Sequence, residues 1–149
     1  MGDLVSARYC DVKLQGKVMR NLIATLFTIL GATSVQASEF PPNVEMNVKT
    51  IKALIDAGSN PKNPHPLEHH FYCLNQECLS SLMAKGESLG YRAANTGTSI
   101  YEGTKYWYGD LIKEAILDLD LINQENSLML KFANDFDADY DDWGTPVVE

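Results

Sequence analysis

Positive charge is scarce in this sequence: 12 Lys and Arg stand against 20 Asp and Glu, giving a net charge of −8 and a pI near 4.8. A surface of that sign repels phosphate, which argues against nucleic acid as a direct partner. Cysteine is scarce too, at three residues, too few for a disulfide scaffold. No apolar run approaches the ~20 residues of a membrane-spanning helix. No period of ~20 to 50 residues recurs, which excludes a solenoid. A phosphate loop, a Gly-x-Ser-x-Gly elbow and a redox Cys-x-x-Cys pair are all missing, so the common signatures of nucleotide, acyl-transfer and thiol chemistry are absent.

What remains is ordinary globular material. The 149 residues are 45% hydrophobic and 21% charged, enough for one domain with a buried core. Charge is unevenly placed: residues 1–37 hold 4 bases and 2 acids, whereas residues 38–149 hold 8 bases and 18 acids. The last forty residues, from Asp110, carry 11 acids against Lys113 and Lys131 alone. Such an acidic end favours a basic partner by electrostatic steering, and serves equally as a solubilising face.

Residues 19–37 follow the pattern of a secretory signal peptide. Arg20 provides the positive start, Leu22 to Ala32 is uncharged and mostly apolar, and Val35 and Ala37 are small residues before a cleavage point. Cleavage is expected after Ala37, with Met19 the more natural start and residues 1–18 an upstream extension. Export to the periplasm is the expectation if this segment functions, and the cytoplasm if it does not; after processing no membrane span remains.

From residue 38 onward the chain reads as one α+β domain. Val44, Val48, Ile51, Leu54 and Ile55 recur at helical spacing up to Gly58. A connection with three prolines, Pro61, Pro64 and Pro66, breaks that helix. A strand over 67–74 then alternates Leu67, His69, Phe71 and Cys73 against Glu68, His70 and Tyr72, the first set expected to meet the helices. A second helix runs to Leu89, with Asn75 as N-cap and Gly90 as terminator. Short strands over 91–95 and 105–112 form a hairpin across a connection holding Gly97 and Gly103, and a third helix over 119–136 is capped by Asp118. Residues near Ala138 and Tyr140, with Val147 and Val148, supply a last strand. The order αβαββαβ contains the split βαβ arrangement and predicts a ferredoxin-like sandwich: an antiparallel sheet with helices on one face and the other face open.

Chemistry-bearing clusters read blandly. His69 and His70 are adjacent on a strand and point to opposite faces, so they do not grip one metal ion, and a packed, hydrogen-bonded His69 is the better reading. Residues 137–142 look like the front of a calcium loop, but the turn position is Asp142 and the twelfth is Val148, so no metal site is assigned. No acid, base and nucleophile converge, so the chain reads as no enzyme and needs no cofactor. Cys73 and Cys78 are separated by four residues, which allows one bridge after export and otherwise leaves two buried thiols.

Three segments in order, Leu67-Glu68-His69-His70, Leu89-Gly90-Tyr91 and Asp139-Tyr140-Asp141-Asp142-Trp143-Gly144-Thr145, resemble the RraB family, regulators of ribonuclease E activity. The likeness runs from about Val48 to Thr145. It departs at Asp142, where the family usually has Gly, and Asp tolerates a left-handed turn. The resemblance implies a ferredoxin-like, non-catalytic domain that inhibits the endoribonuclease by binding its basic, non-catalytic scaffold region. The partner-binding residues expected on that reading are Glu68, His70 and Tyr72 on the open face, the acids Asp110, Glu114, Asp137, Asp139 and Asp141, and Trp143. Trp143 is expected to dock on the core, beside a tight turn at Gly144. The alternative is an exported binding module of the same fold with another protein partner.

Overall fold

The computed structural model describes residues 38–149. The signal-peptide segment expected at 19–37, and the extension before it, lie outside the described residues. Seven elements follow in the order α1 (Val44–Asp56), β1 (His65–Cys73), α2 (Gln76–Ser88), β2 (Arg92–Tyr101), β3 (Thr104–Ala115), α3 (Leu119–Phe136) and β4 (Asp139–Gly144). The strands form one antiparallel sheet in the order β2-β3-β1-β4. The αβαββαβ order and the α+β ferredoxin-like sheet match the reading from sequence.

Caps start the helices where short polar side chains were placed. The Asn75 side chain accepts from the Cys78 backbone N–H at 2.8 Å, Asp118 accepts from that of Leu121 at 3.0 Å, and Asn43 caps α1 through Met46. α3 ends at Asp137, which adopts the left-handed conformation with φ 54°. Along β1 burial alternates residue by residue, with His65, Leu67, His69, Phe71 and Cys73 all inside. These meet α2 and α3 in a core built on Phe71, Leu82, Leu111, Met129 and Phe132. A second core cluster joins Leu54 of α1 to Leu67, Ile122 and Trp143.

Several expectations need correction. The hairpin is longer than the short strands suggested: β2 and β3 pair from Arg92↔Ile112 to Tyr101↔Thr104, with only Glu102 and Gly103 in the turn, both at positive φ. Gly97 lies inside β2, not in a connection, beside an irregularity in register between Ala94 and Gly97. A Cβ there would come within 2.5 Å of the Tyr108 hydroxyl, which explains a glycine in a strand. The last strand ends at Gly144, and Val147 and Val148 do not extend it; the Val148 carbonyl accepts from Asn60 instead. The left-handed residue near the end is Asp142, with φ 64°, and Gly144 sits in strand conformation opposite Glu68. α1 packs on α3 and reaches the sheet edge through Leu54 and Asn47, so its apolar stripe is only partly covered: Leu54 is buried while Val48 and Ile55 stay exposed.

Candidate functional site

The helices cover one side of the sheet, and among the described residues no element covers the other. That open face is assembled from the even-numbered residues of β1 and β3 and their neighbours on β2 and β4. Across the sheet, Gly97, Tyr108, Tyr72 and Asp139 are register partners; so are Ala94, Asp110 and His70, and so are Arg92, Ile112, Glu68 and Gly144.

Asp110 organises the middle of the face. Its carboxylate accepts from Asn95 Nδ2 at 2.7 Å and holds His70 Nδ1 at 2.7 Å. Asn95 reaches it from a left-handed backbone position, φ 52°, at the β2 irregularity. The bond to Asp110 lifts the His70 imidazole above its ordinary range, against burial, and the charges of Glu68 and Asp141 add to the lift. Glu68 is also raised, by burial first and by Asp110 second, while His70 and Arg92 oppose the rise. Tyr72 and Tyr108 stand side by side with ring centroids 6.3 Å apart. Asp139 and Asp141 lie exposed on β4, and Glu114 lies exposed opposite Pro66 at the far end of β3.

Of the residues expected to bind a partner, the structure thus brings Glu68, His70, Tyr72, Asp110, Glu114, Asp139 and Asp141 to one face. Asp137 caps α3 and is exposed at the helix end. Trp143 lies on the opposite side: it is buried, and its Nε1–H donates to Asn47 Oδ1 at 2.8 Å. Cys73 and Cys78 are joined by a disulfide, Cα to Cα 5.9 Å, which ties the end of β1 to the first turn of α2.

Beneath the sheet runs a buried polar network that the sequence reading missed. His69 is packed and hydrogen-bonded as expected, its Nδ1 2.9 Å from the Tyr140 hydroxyl. Asn126 lies close to both Tyr140 and Asp142, donating to Asp142 Oδ1 at 3.3 Å, and accepts from the Asn43 backbone N–H at 2.9 Å. Asn47, fully buried, donates to Asn123 Oδ1 at 2.8 Å. Tyr91 donates to Glu125, which also takes Lys113 at 3.3 Å. Burial pushes His69 down to about 3, so it is neutral at pH 7 and its 3.9 Å approach to Glu125 is no ion pair. Burial also raises Asp142. The signal for this network was there: Asn126 falls in phase with Ile122, Met129 and Ala133, on the core stripe of α3.

Among the described residues no three His, Cys, Asp or Glu side chains gather as metal ligands. No helix among them is long and apolar enough to cross a membrane. The geometry defines an acidic ferredoxin-like α+β protein whose sheet face opposite the helices is polar and aromatic. Comparison with known proteins takes this further. Residues 44–145 match the model of the RraB family, described as "Regulator of ribonuclease activity B". The chain is 30% identical over 120 residues to the Regulator of ribonuclease activity B of Pseudoalteromonas atlantica, covering 79% of this chain and 98% of that protein. It is 29% identical to the protein of that name from Escherichia coli K12 over 96 residues, 64% of this chain and 70% of the relative. The Colwellia psychrerythraea protein of that name is 31% identical over 96 residues, 64% of this chain and 83% of its own length. The chain belongs to the RraB family.

Proposed function

We propose that this chain is a non-catalytic regulator of ribonuclease activity that binds its target through the open sheet face. The observation that carries the reading is the row of carboxylates, Glu68, Asp110, Glu114, Asp139 and Asp141, gathered on the sheet face that no helix among the described residues covers, in a chain whose family is named for this activity. His70 and Arg92 offset the charge around Glu68. A face of this sign suits a basic segment such as the scaffold region of ribonuclease E, and the pairing speeds encounter and selects partners more than it adds affinity. The experiment is an RNA-cleavage assay with full-length ribonuclease E and with its catalytic part alone. Inhibition of the first only, relieved by salt, is expected. Equal action on both forms, or on neither, would overturn the reading.

A second reading, an exported module of the same fold acting on another protein, is favoured by one specific observation. The Cys73 to Cys78 bridge suits an oxidising compartment, in keeping with the signal-peptide pattern of the segment at 19–37.

A further inference from the structure

The apolar side chains outside the core are not all scattered. On α1, Val44, Val48, Ile51 and Ile55 recur at alternating spacings of four and three, the repeat that lines the seam of a paired helix. Val44, Val48 and Ile55 stay 43 to 46% exposed, although Asn47 and Leu54 on the adjoining face of the same helix are buried. Val48, Ile51, Lys52 and Ile55, with Leu119 at the start of α3, line a groove of about 280 Å³. An exposed apolar strip with a charged rim is the mark of a contact surface. The rim here differs from the rest of the molecule. α1 carries Glu45, Lys49, Lys52 and Asp56, two charges of each sign, in a domain that otherwise runs heavily acidic, with 8 bases and 18 acids over residues 38–149. Glu45 and Lys52 each directly follow a stripe residue, so they lie on one flank of the stripe, toward opposite ends of the helix, and both are largely exposed.

We infer that this stripe is where a second copy of the chain docks, forming a symmetric dimer through antiparallel α1 helices. Charge complementarity selects that occupant. Two such helices related by a two-fold axis bring the flank of one against the same flank of the other, which sets Glu45 near the second copy's Lys52 and Lys52 near its Glu45. The stripe is centred between Val48 and Ile51, so in the antiparallel arrangement each meets the other across the axis, and one set of residues supplies both halves of the contact. Self-association of a strongly acidic protein is opposed by its own charge, and α1 is a charge-balanced strip on which two copies meet with little of that repulsion. A helix of 13 residues is about 20 Å long, so the dimer is weak, at the small end of specific interfaces. α1 joins the core on the helix side of the sheet, through Leu54 and Leu67. Pairing therefore leaves the open face of both copies free, and the inference stands or falls apart from what that face binds.

The test is sedimentation velocity on the full 149-residue chain over a wide range of protein concentration. A reversible monomer–dimer equilibrium is expected, with a dissociation constant on the order of 10 μM. Val48→Asp, which places a charge in the seam, should raise that constant by about tenfold or more. Glu45→Lys and Lys52→Glu should each raise it about threefold, and the two exchanges together should restore it. Only the contact between copies regains opposite charges in the double variant, because within the helix both exchanges leave like charges beside Lys49 and Asp56, the present partners of Glu45 and Lys52. Far-UV circular dichroism and thermal midpoints check that the variants keep the fold. A chain that is monomeric at every concentration overturns the inference and leaves the groove to residues 22–32 of the chain or to another protein. A dimer that Val48→Asp leaves intact, or a double exchange that restores nothing, overturns it as well.

Discussion

Histidines 69 and 70 are neighbours in sequence and opposites in chemistry. His70 is lifted above its ordinary range by Asp110, so the folded state holds a proton more tightly there than the unfolded chain. Its contribution to stability is complete below pH ~6.5 and is lost as pH rises through the raised value. Asp110→Asn should remove that alkaline loss, and an NMR titration should show the His70 imidazole moving back toward its ordinary range. His69 works the other way. With its folded value near 3, the unfolded chain binds the extra proton between pH ~6.5 and 3, so stability falls as pH falls through that window. His69→Gln should therefore flatten the acid limb of the stability profile, read by urea denaturation at successive pH values. Alternation on a strand made the division of these two side chains legible in advance. The partners that hold them were not legible, because Asp110 lies 40 residues from His70 and Tyr140 lies 71 from His69, and they meet only through strand register. Trp143 shows the same limit: the sequence indicated docking on the core, but not that Asn47 waits there as acceptor. Trp143→Phe should cost about 2–4 kcal/mol, combining lost volume with an unsatisfied buried carbonyl.

At the scale of elements, the helices and their caps were readable because each rests on local chemistry, and α3 begins and ends where its stripe and Asp118 placed it. The hairpin was less so. Its Thr, Gly and Ser residues resemble a loop, and the pairing of Gly97 with Tyr108 across the strands, with the phenol packed on the glycine, is what makes Gly97 a strand residue. A second glycine makes the packing argument testable. Gly86 lies on the buried side of α2, and an added Cβ would come within 2.4 Å of the side chain of Leu111, which is fully buried and cannot swing away. Gly86→Ala should therefore destabilise by about 1–3 kcal/mol in denaturant titration, despite alanine's better helix propensity. The Cys73 to Cys78 bridge fixes the junction of β1 and α2. Reduction should lower stability by about 2 kcal/mol, because it frees a short loop in the unfolded chain, and the thermal midpoint with and without dithiothreitol measures it.

For the whole molecule, the question is where the protein works. The full reading frame, expressed with a C-terminal tag in a Gram-negative host, should yield periplasmic protein beginning near Ser38 if the segment at 19–37 is a signal peptide; intact mass and cell fraction decide it. Uncleaved cytoplasmic protein would favour the ribonuclease-directed reading, and its complex with the scaffold region should weaken steeply with salt.

The alternation of β1 has one more consequence. A single central strand carries two sets of residues that never meet, the odd positions filling the interior and the even ones facing outward. Replacing the outward set changes no interior volume, so this protein can be retargeted without repacking its core, at the cost of surface contacts such as His70 with Asp110. Chains that share this fold at about 30% identity are therefore free to diverge in what they grip, and their outward residues are where lineage-specific partners should leave their mark.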